Sequence, residues 1–269
     1  MTATDERTRP RSAGHNRVSN VFWVLLAVFG ASGYLVWDHF GNVRFGVFLF
    51  VISGWLVSLC LHEYAHARTA LHSGDIGVGV RGYLTLNPLK YTHPVYSFLL
   101  PVVFIIIGGI ALPGGAVFID RGRIRKRGQH SLISAAGPAI NALFAVACLL
   151  PLGAGWLDSA PTEFAAALGY LGALEVIATV LNLVPIPGLD GYGIIEPWLS
   201  YQTRRAFAPF APYGMMAIFV LLWTPSLNQW FFTDIVGGVL GWFGNAGGYA
   251  AVGQELFRFW HANLLGYGG

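Results

Sequence analysis

Charge is what this 269-residue chain has least of: 13 acidic and 16 basic side chains make only 11% of it charged. That is less than half of the roughly 25% usual in a soluble domain. So few ionised groups cannot solvate a water-exposed surface of this size, which excludes a soluble enzyme and a disordered chain. Net charge is only +3, and the basic residues gather at a few points rather than along one face, so no nucleic-acid partner is expected. Lysine is nearly missing, with Lys90 and Lys126 alone beside the arginines. Cysteine is scarce as well: Cys60 and Cys148 both lie in apolar stretches, and two thiols make no disulfide framework. No small-residue cleavage site follows the first apolar run, which therefore reads as a retained span.

What remains is hydrophobic, 55% of the chain. Residues 1–20 are polar and arginine-bearing and read as a cytoplasmic tail. Apolar segments follow at 21–37, 45–61, 95–111, 131–150, 163–186 and 206–223, with a weaker one at 227–243. Each strong one approaches the ~20 residues that a helix needs to cross ~30 Å of hydrocarbon. The expected fold is an all-α, polytopic bundle of about six transmembrane helices in the cell membrane. Its single domain is expected over 21–245, with a core at 45–200 and a C-terminal tail at 246–269.

Basic loops set the orientation. The tail, the block Asp120-Arg-Gly-Arg-Ile-Arg-Lys-Arg127 and the pair Arg204-Arg205 are placed in the cytoplasm. The second span then runs inward and ends on the cytoplasmic side just after His66. A single crossing by 95–111 would put residues 120–127 outside, against that rule. The stretch 95–119, with Gly108-Gly109 and Pro113-Gly114-Gly115, is therefore expected to enter and return on one side. Such backbone is tolerated at membrane depth only where protein covers it or it lines a cavity.

Within the second apolar run stands His62-Glu63-Tyr64-Ala65-His66. Residues four apart share a helix face, so both imidazoles can reach one metal ion, with Glu63 beside them as a base for metal-bound water. A zinc ion brings the pKa of such water to roughly 7, which makes a nucleophile available at neutral pH. In lipid, an ionisable side chain at a helix centre costs ~2.5–3.5 kcal/mol on insertion scales. Three of them within five residues need mutual compensation, and a metal provides it. A catalytic zinc takes a third protein ligand. Of the carboxylates in or beside apolar runs, Glu175, Asp190 and Asp234, Asp190 follows Pro185, Pro187 and Gly188 at the inward end of a span, on the same side as His66. It is the expected third ligand.

The motif set His62-Glu63-Tyr64-Ala65-His66, Ala136-Gly-Pro-Ala-Ile-Asn141 and Asn182-Leu-Val-Pro-Ile-Pro-Gly-Leu-Asp-Gly191 resembles, in order, that of the site-2 protease family of intramembrane zinc metalloproteases. Gly82-Tyr-Leu-Thr-Leu-Asn-Pro88 resembles a segment of its compact bacterial members and is expected as a short strand at the rim of the site. The resemblance implies one Zn2+ held by His62, His66 and Asp190, with Glu63 as general base and acid. It gives Asn182 as a catalytic amide that holds the peptide or an oxyanion, with a helix-to-helix hydrogen bond as the alternative. It also implies a transmembrane protein substrate, cut in the bilayer to release a membrane-tethered regulator. Gly137-Pro138 and Asn141 are expected to permit close packing and to cap backbone. Glu175 is expected as a neutral or paired carboxyl between helices. Tyr192 stands where the family often has a second glycine. No segment suits a peptide-binding PDZ insertion, so a regulatory partner would be a separate protein.

A metal transporter is the competing reading, but no inverted repeat is visible and such a protein has no use for a base beside the histidines. An inactive relative that serves as a binding module is the third, and the intact ligand set argues against it.

Overall fold

The computed structural model describes residues 17–90, 102–103, 105–106 and 117–260. Long apolar runs become long helices: α1 (Asn20–Trp37), α2 (Val43–His72), α3 (Arg127–Gly153) and α4 (Thr162–Leu183). All four are long and apolar enough to cross a membrane. Their starts are local: Ser19 accepts from the N–H of Phe22, and Asn42 accepts from the N–H of Phe45, each taking up one of the donors a helix leaves unpaired. Two buried hydroxyls are met within their own helix: Ser32 donates to Val28 O at 2.7 Å and Ser53 to Leu49 O at 2.5 Å.

Helices α2 and α4 form the centre. Of their most apolar windows 72% and 78% is buried, against 22% for α1, which leaves most of its surface for lipid. The core joins Phe50, Trp55 and Leu59 of α2 to Leu149 of α3 and Leu171 and Leu174 of α4. The expected bundle is therefore present, and its described crossings are fewer than six. Residues 206–223 are not one straight span. The chain forms α5 (Asp190–Ile195), α6 (Tyr201–Phe207) and, after a 3-10 turn, α7 (Gly214–Trp223), and the segments Tyr201–Tyr213 and Met216–Trp223 meet at 68°. Counting that bent pair as one span gives five. Residues 227–243 break into a short helix, a π-helical turn and another short helix. The expected re-entrant stretch, 95–119, lies outside the described residues except for residues 102–103, 105–106 and 117–119.

Two expectations are corrected. Gly82 to Pro88 is no strand: Tyr83–Thr85 and Pro88–Lys90 are 3-10 turns, and no strand occurs among the described residues. Gly82 at φ 77° and Leu86 at φ 54° are left-handed, which no strand tolerates. Residues 246–257 are no tail. They form α8 (Ala246–Phe257), packed along α4, where Gly253 comes so close to Ala166 that an added Cβ would lie 2.0 Å from its carbonyl oxygen.

Candidate active site

Helix α2 carries His62 and His66 on one face, ten and six residues before its end. Their Nε2 atoms are 3.0 Å apart. The third group arrives from a distant part of the chain. After α4 ends at Leu183, Pro185 and Pro187 stop the helix, and Gly188 at φ 98° turns the backbone. Asp190 then opens α5, with Oδ2 lying 3.4 Å from His62 Nε2 and 3.3 Å from His66 Nε2. Gly191 lets this turn close on the end of α4, because an added Cβ would meet Leu183 O at 2.2 Å.

A tetrahedral zinc with ligands at ~2.0–2.2 Å sets them roughly 3.3 Å apart, and the three donor atoms have that spacing. The hydrogen bonds fit as well. His62 Nδ1 contacts Asn141 Oδ1 at 2.5 Å and His66 Nδ1 contacts Ile133 O at 2.7 Å. Both partners only accept, so each Nδ1 carries the proton and each Nε2 turns a lone pair inward. Two lone pairs facing each other with a carboxylate beside them repel, and a cation between them removes the conflict.

The backbone of α3 passes directly over this triangle. An added Cβ on Gly137 would lie 2.2 Å from His66 Nε2 and 2.5 Å from His62 Nε2. The Gly-Pro element is thus a close-packing device, as expected, but what it packs against is the pair of imidazoles. Asn141 departs from its expected role: it bonds the ring of His62 rather than backbone. The motif itself carries no signal for this partner.

Glu63 is 2% exposed. Its Oε1 lies 3.9 Å from His62 Nε2, and its Oε2 is buried with no hydrogen-bond partner among the described residues. The backbone of Val117 hydrogen-bonds its carboxyl. Asn182 is buried at the penultimate position of α4, where the chain turns towards Asp190. Among the described residues no hydrogen bond links it to the three donors. A cavity of about 370 Å³ opens beside Asp190, bordered by Ser134, Leu189 and Tyr192. Arg121 and Glu196, which form an ion pair, belong both to it and to a neighbouring cavity lined by Arg125, Arg127, His130 and Arg204.

A helical membrane bundle that closes two histidines of an HExxH helix and a later aspartate around one point, with the motif glutamate beside them, defines a metalloprotease. Named relatives agree. The chain is 48% identical over 250 residues to a protein of Mycolicibacterium smegmatis provisionally named zinc metalloprotease Rip2, with 91% of this chain and 95% of that protein covered. The Mycobacterium tuberculosis protein of the same name is 44% identical over 253 residues, with the same coverage. A Bacillus subtilis protein provisionally named zinc metalloprotease YwhC is 28% identical over 198 residues, 70% of this chain and 86% of its own length. No family profile matches the chain, and no solved structure does. The chain belongs to the site-2 protease family and is a zinc metalloprotease.

Proposed function

We propose that this protein is an intramembrane endopeptidase that cuts transmembrane segments of membrane-tethered proteins near the cytoplasmic face. The observation that carries this reading is the place of Glu63. It is a nearly inaccessible carboxyl beside three converging donors, on a helix whose most apolar window is 72% buried.

His62, His66 and Asp190 would hold the zinc. A zinc ion supplies Lewis acidity, bringing the pKa of water down to roughly 7 and polarising a carbonyl. Glu63 takes one proton from the attacking water as the new C–O bond forms at the scissile carbonyl. It delivers that proton to the leaving amide nitrogen as the C–N bond breaks. The unpartnered Oε2 of Glu63 is free to accept it. Asn182, at the end of α4 next to the Asp190 turn, is the amide proposed to hold the peptide carbonyl. The cavity beside Asp190 would admit an unwound segment, because an intact helix hides its carbonyls from a nucleophile.

The basic blocks support the orientation. Arg121 lines the cavity beside Asp190 and also the cavity of Arg125, Arg127 and Arg204, and the backbone N–H of Ser19 before α1 bonds Thr85 O. At the far end, His39 faces Glu163. The arginine-rich end, in the cytoplasm by the charge rule, is thus the end with the site.

The test is Glu63→Gln in proteoliposomes holding single-span reporter proteins. Loss of a general acid–base group costs ~10²–10⁴-fold in rate, so cleavage should fall by that factor while zinc content stays at the wild-type level. Cleavage undiminished in Glu63→Gln would contradict the proposal.

A further inference from the structure

One buried polar cluster lies behind the site and takes no part in the chemistry above. Glu175 of α4 is 0% exposed, as is Ser58 of α2, one turn before His62. Ser58 Oγ donates to Glu175 Oε2 at 2.7 Å. Asn141 Nδ2 of α3 donates to the same Oε2 at 2.8 Å and contacts Ser58 Oγ at 3.2 Å. The other end of that amide, Oδ1, meets His62 Nδ1. The chain of contacts runs from Glu175 through Asn141 to the back of a metal ligand and touches α2, α3 and α4.

The direction of these bonds carries information. Ser58 gives its only proton to Glu175, so it presents a lone pair to Asn141. Glu175 Oε2 accepts from both partners. Each of the two groups at the nitrogen end of Asn141 therefore demands a donor, which fixes the NH2 there and turns Oδ1 to His62. An acceptor at Nδ1 requires the proton on Nδ1, which leaves the Nε2 lone pair facing Asp190 and His66. With the amide reversed, His62 would carry its proton on Nε2 and could not bind a metal. Outer partners of this kind set the tautomer of metal-binding histidines elsewhere.

We propose that Glu175 and Ser58 are positioning residues that set the tautomer of His62 by holding the side-chain amide of Asn141 in one orientation. A mere polar strut between helices would be served by Ser58 and Asn141 alone. It gives no reason for a carboxyl with a second oxygen, Oε1, that is buried and has no hydrogen-bond partner among the described residues.

The inference rests on the proposed metal site, and its test separates the two. Full-length wild type and the variants Glu175→Met, Glu175→Gln, Ser58→Ala and Asn141→Leu are purified in detergent. Zinc affinity is measured by chelator competition, the cobalt-substituted protein by its visible spectrum, and the metal-free His62 ring by 15N chemical shifts. Glu175→Met and Asn141→Leu should weaken zinc binding by about 10–100-fold, shift the cobalt bands and move the His62 proton from Nδ1 to Nε2. Glu175→Gln, which keeps an acceptor oxygen, should recover most of the affinity, and Ser58→Ala should show the same changes in smaller measure. If the variants melt earlier, yet bind zinc within a factor of two of wild type and keep the Nδ1 proton, the cluster is only a strut and the inference is wrong. If wild type binds no zinc, the metal-site reading fails, and the 15N shifts of the metal-free protein still decide whether Glu175 governs the tautomer.

Discussion

At the scale of single residues, the site depends as much on an absence as on its donors. Gly137 has no side chain where any other residue would put a carbon 2.2 Å from His66 Nε2 and 2.5 Å from His62 Nε2. A methyl there would take the space proposed for the ion. Gly137→Ala is therefore predicted to lower zinc affinity by at least tenfold, as read by chelator competition, in a protein that still inserts and folds. Zinc retained at wild-type affinity would count against the donor triangle. The donors themselves were legible in the sequence because their spacing is local: four residues apart for the histidines, and a fixed Asn182-to-Asp190 segment for the carboxylate. The partners of His62 were not. Which face of α3 or α4 turns towards α2 depends on how the helices pack, and a polar residue in an apolar run looks the same whatever it meets. Glu175 was therefore readable as a paired carboxyl but not as the group behind Asn141.

At the scale of elements, the long helices follow the apolar runs closely. Asn20–Trp37 answers to 21–37 and Thr162–Leu183 to 163–186, because lipid leaves a backbone few alternatives to an unbroken helix. Shorter pieces escape that constraint. Gly82 to Pro88 alternates like a strand, but two left-handed residues fold it into turns, and Arg81 ties the region to the chain before α3 through Phe118 O at 3.1 Å. The C-terminal helix was missed because its glycines read as tail composition. In membranes, small residues instead allow helix backbones to approach closely, and α8 meets α4 in this way at Gly253 and Gly169. Gly253→Ala should force α8 away from Ala166, at a cost of about 1–3 kcal/mol, seen as a melting temperature several degrees lower in detergent. Gly247, with nothing within 4 Å of an added Cβ, is the control, and Gly247→Ala should leave the melting temperature unchanged. Equal behaviour of the two variants would refute the close docking of α8.

At the scale of the whole molecule, the arrangement of charge supports the proposed placing of the site near the cytoplasmic face. The arginine block at 121–127 and Arg204 adjoin the Asp190 cavity, whereas the loop at 154–161, with Asp158, lies between the other ends of α3 and α4. Single cysteines can report this, since Cys60 and Cys148 are buried. Asp158→Cys should react with an impermeant thiol reagent on intact cells, and Arg125→Cys only after lysis; the reverse pattern would invert the topology.

The account as a whole rests on side chains far apart in the sequence sharing one ion. The most direct measurement is the zinc content of the purified wild-type protein beside its Asp190→Ala variant, both checked for native melting behaviour. One zinc per chain in the wild type and a large loss in Asp190→Ala is the predicted result. Equal zinc in the two, or none in the wild type, would contradict it.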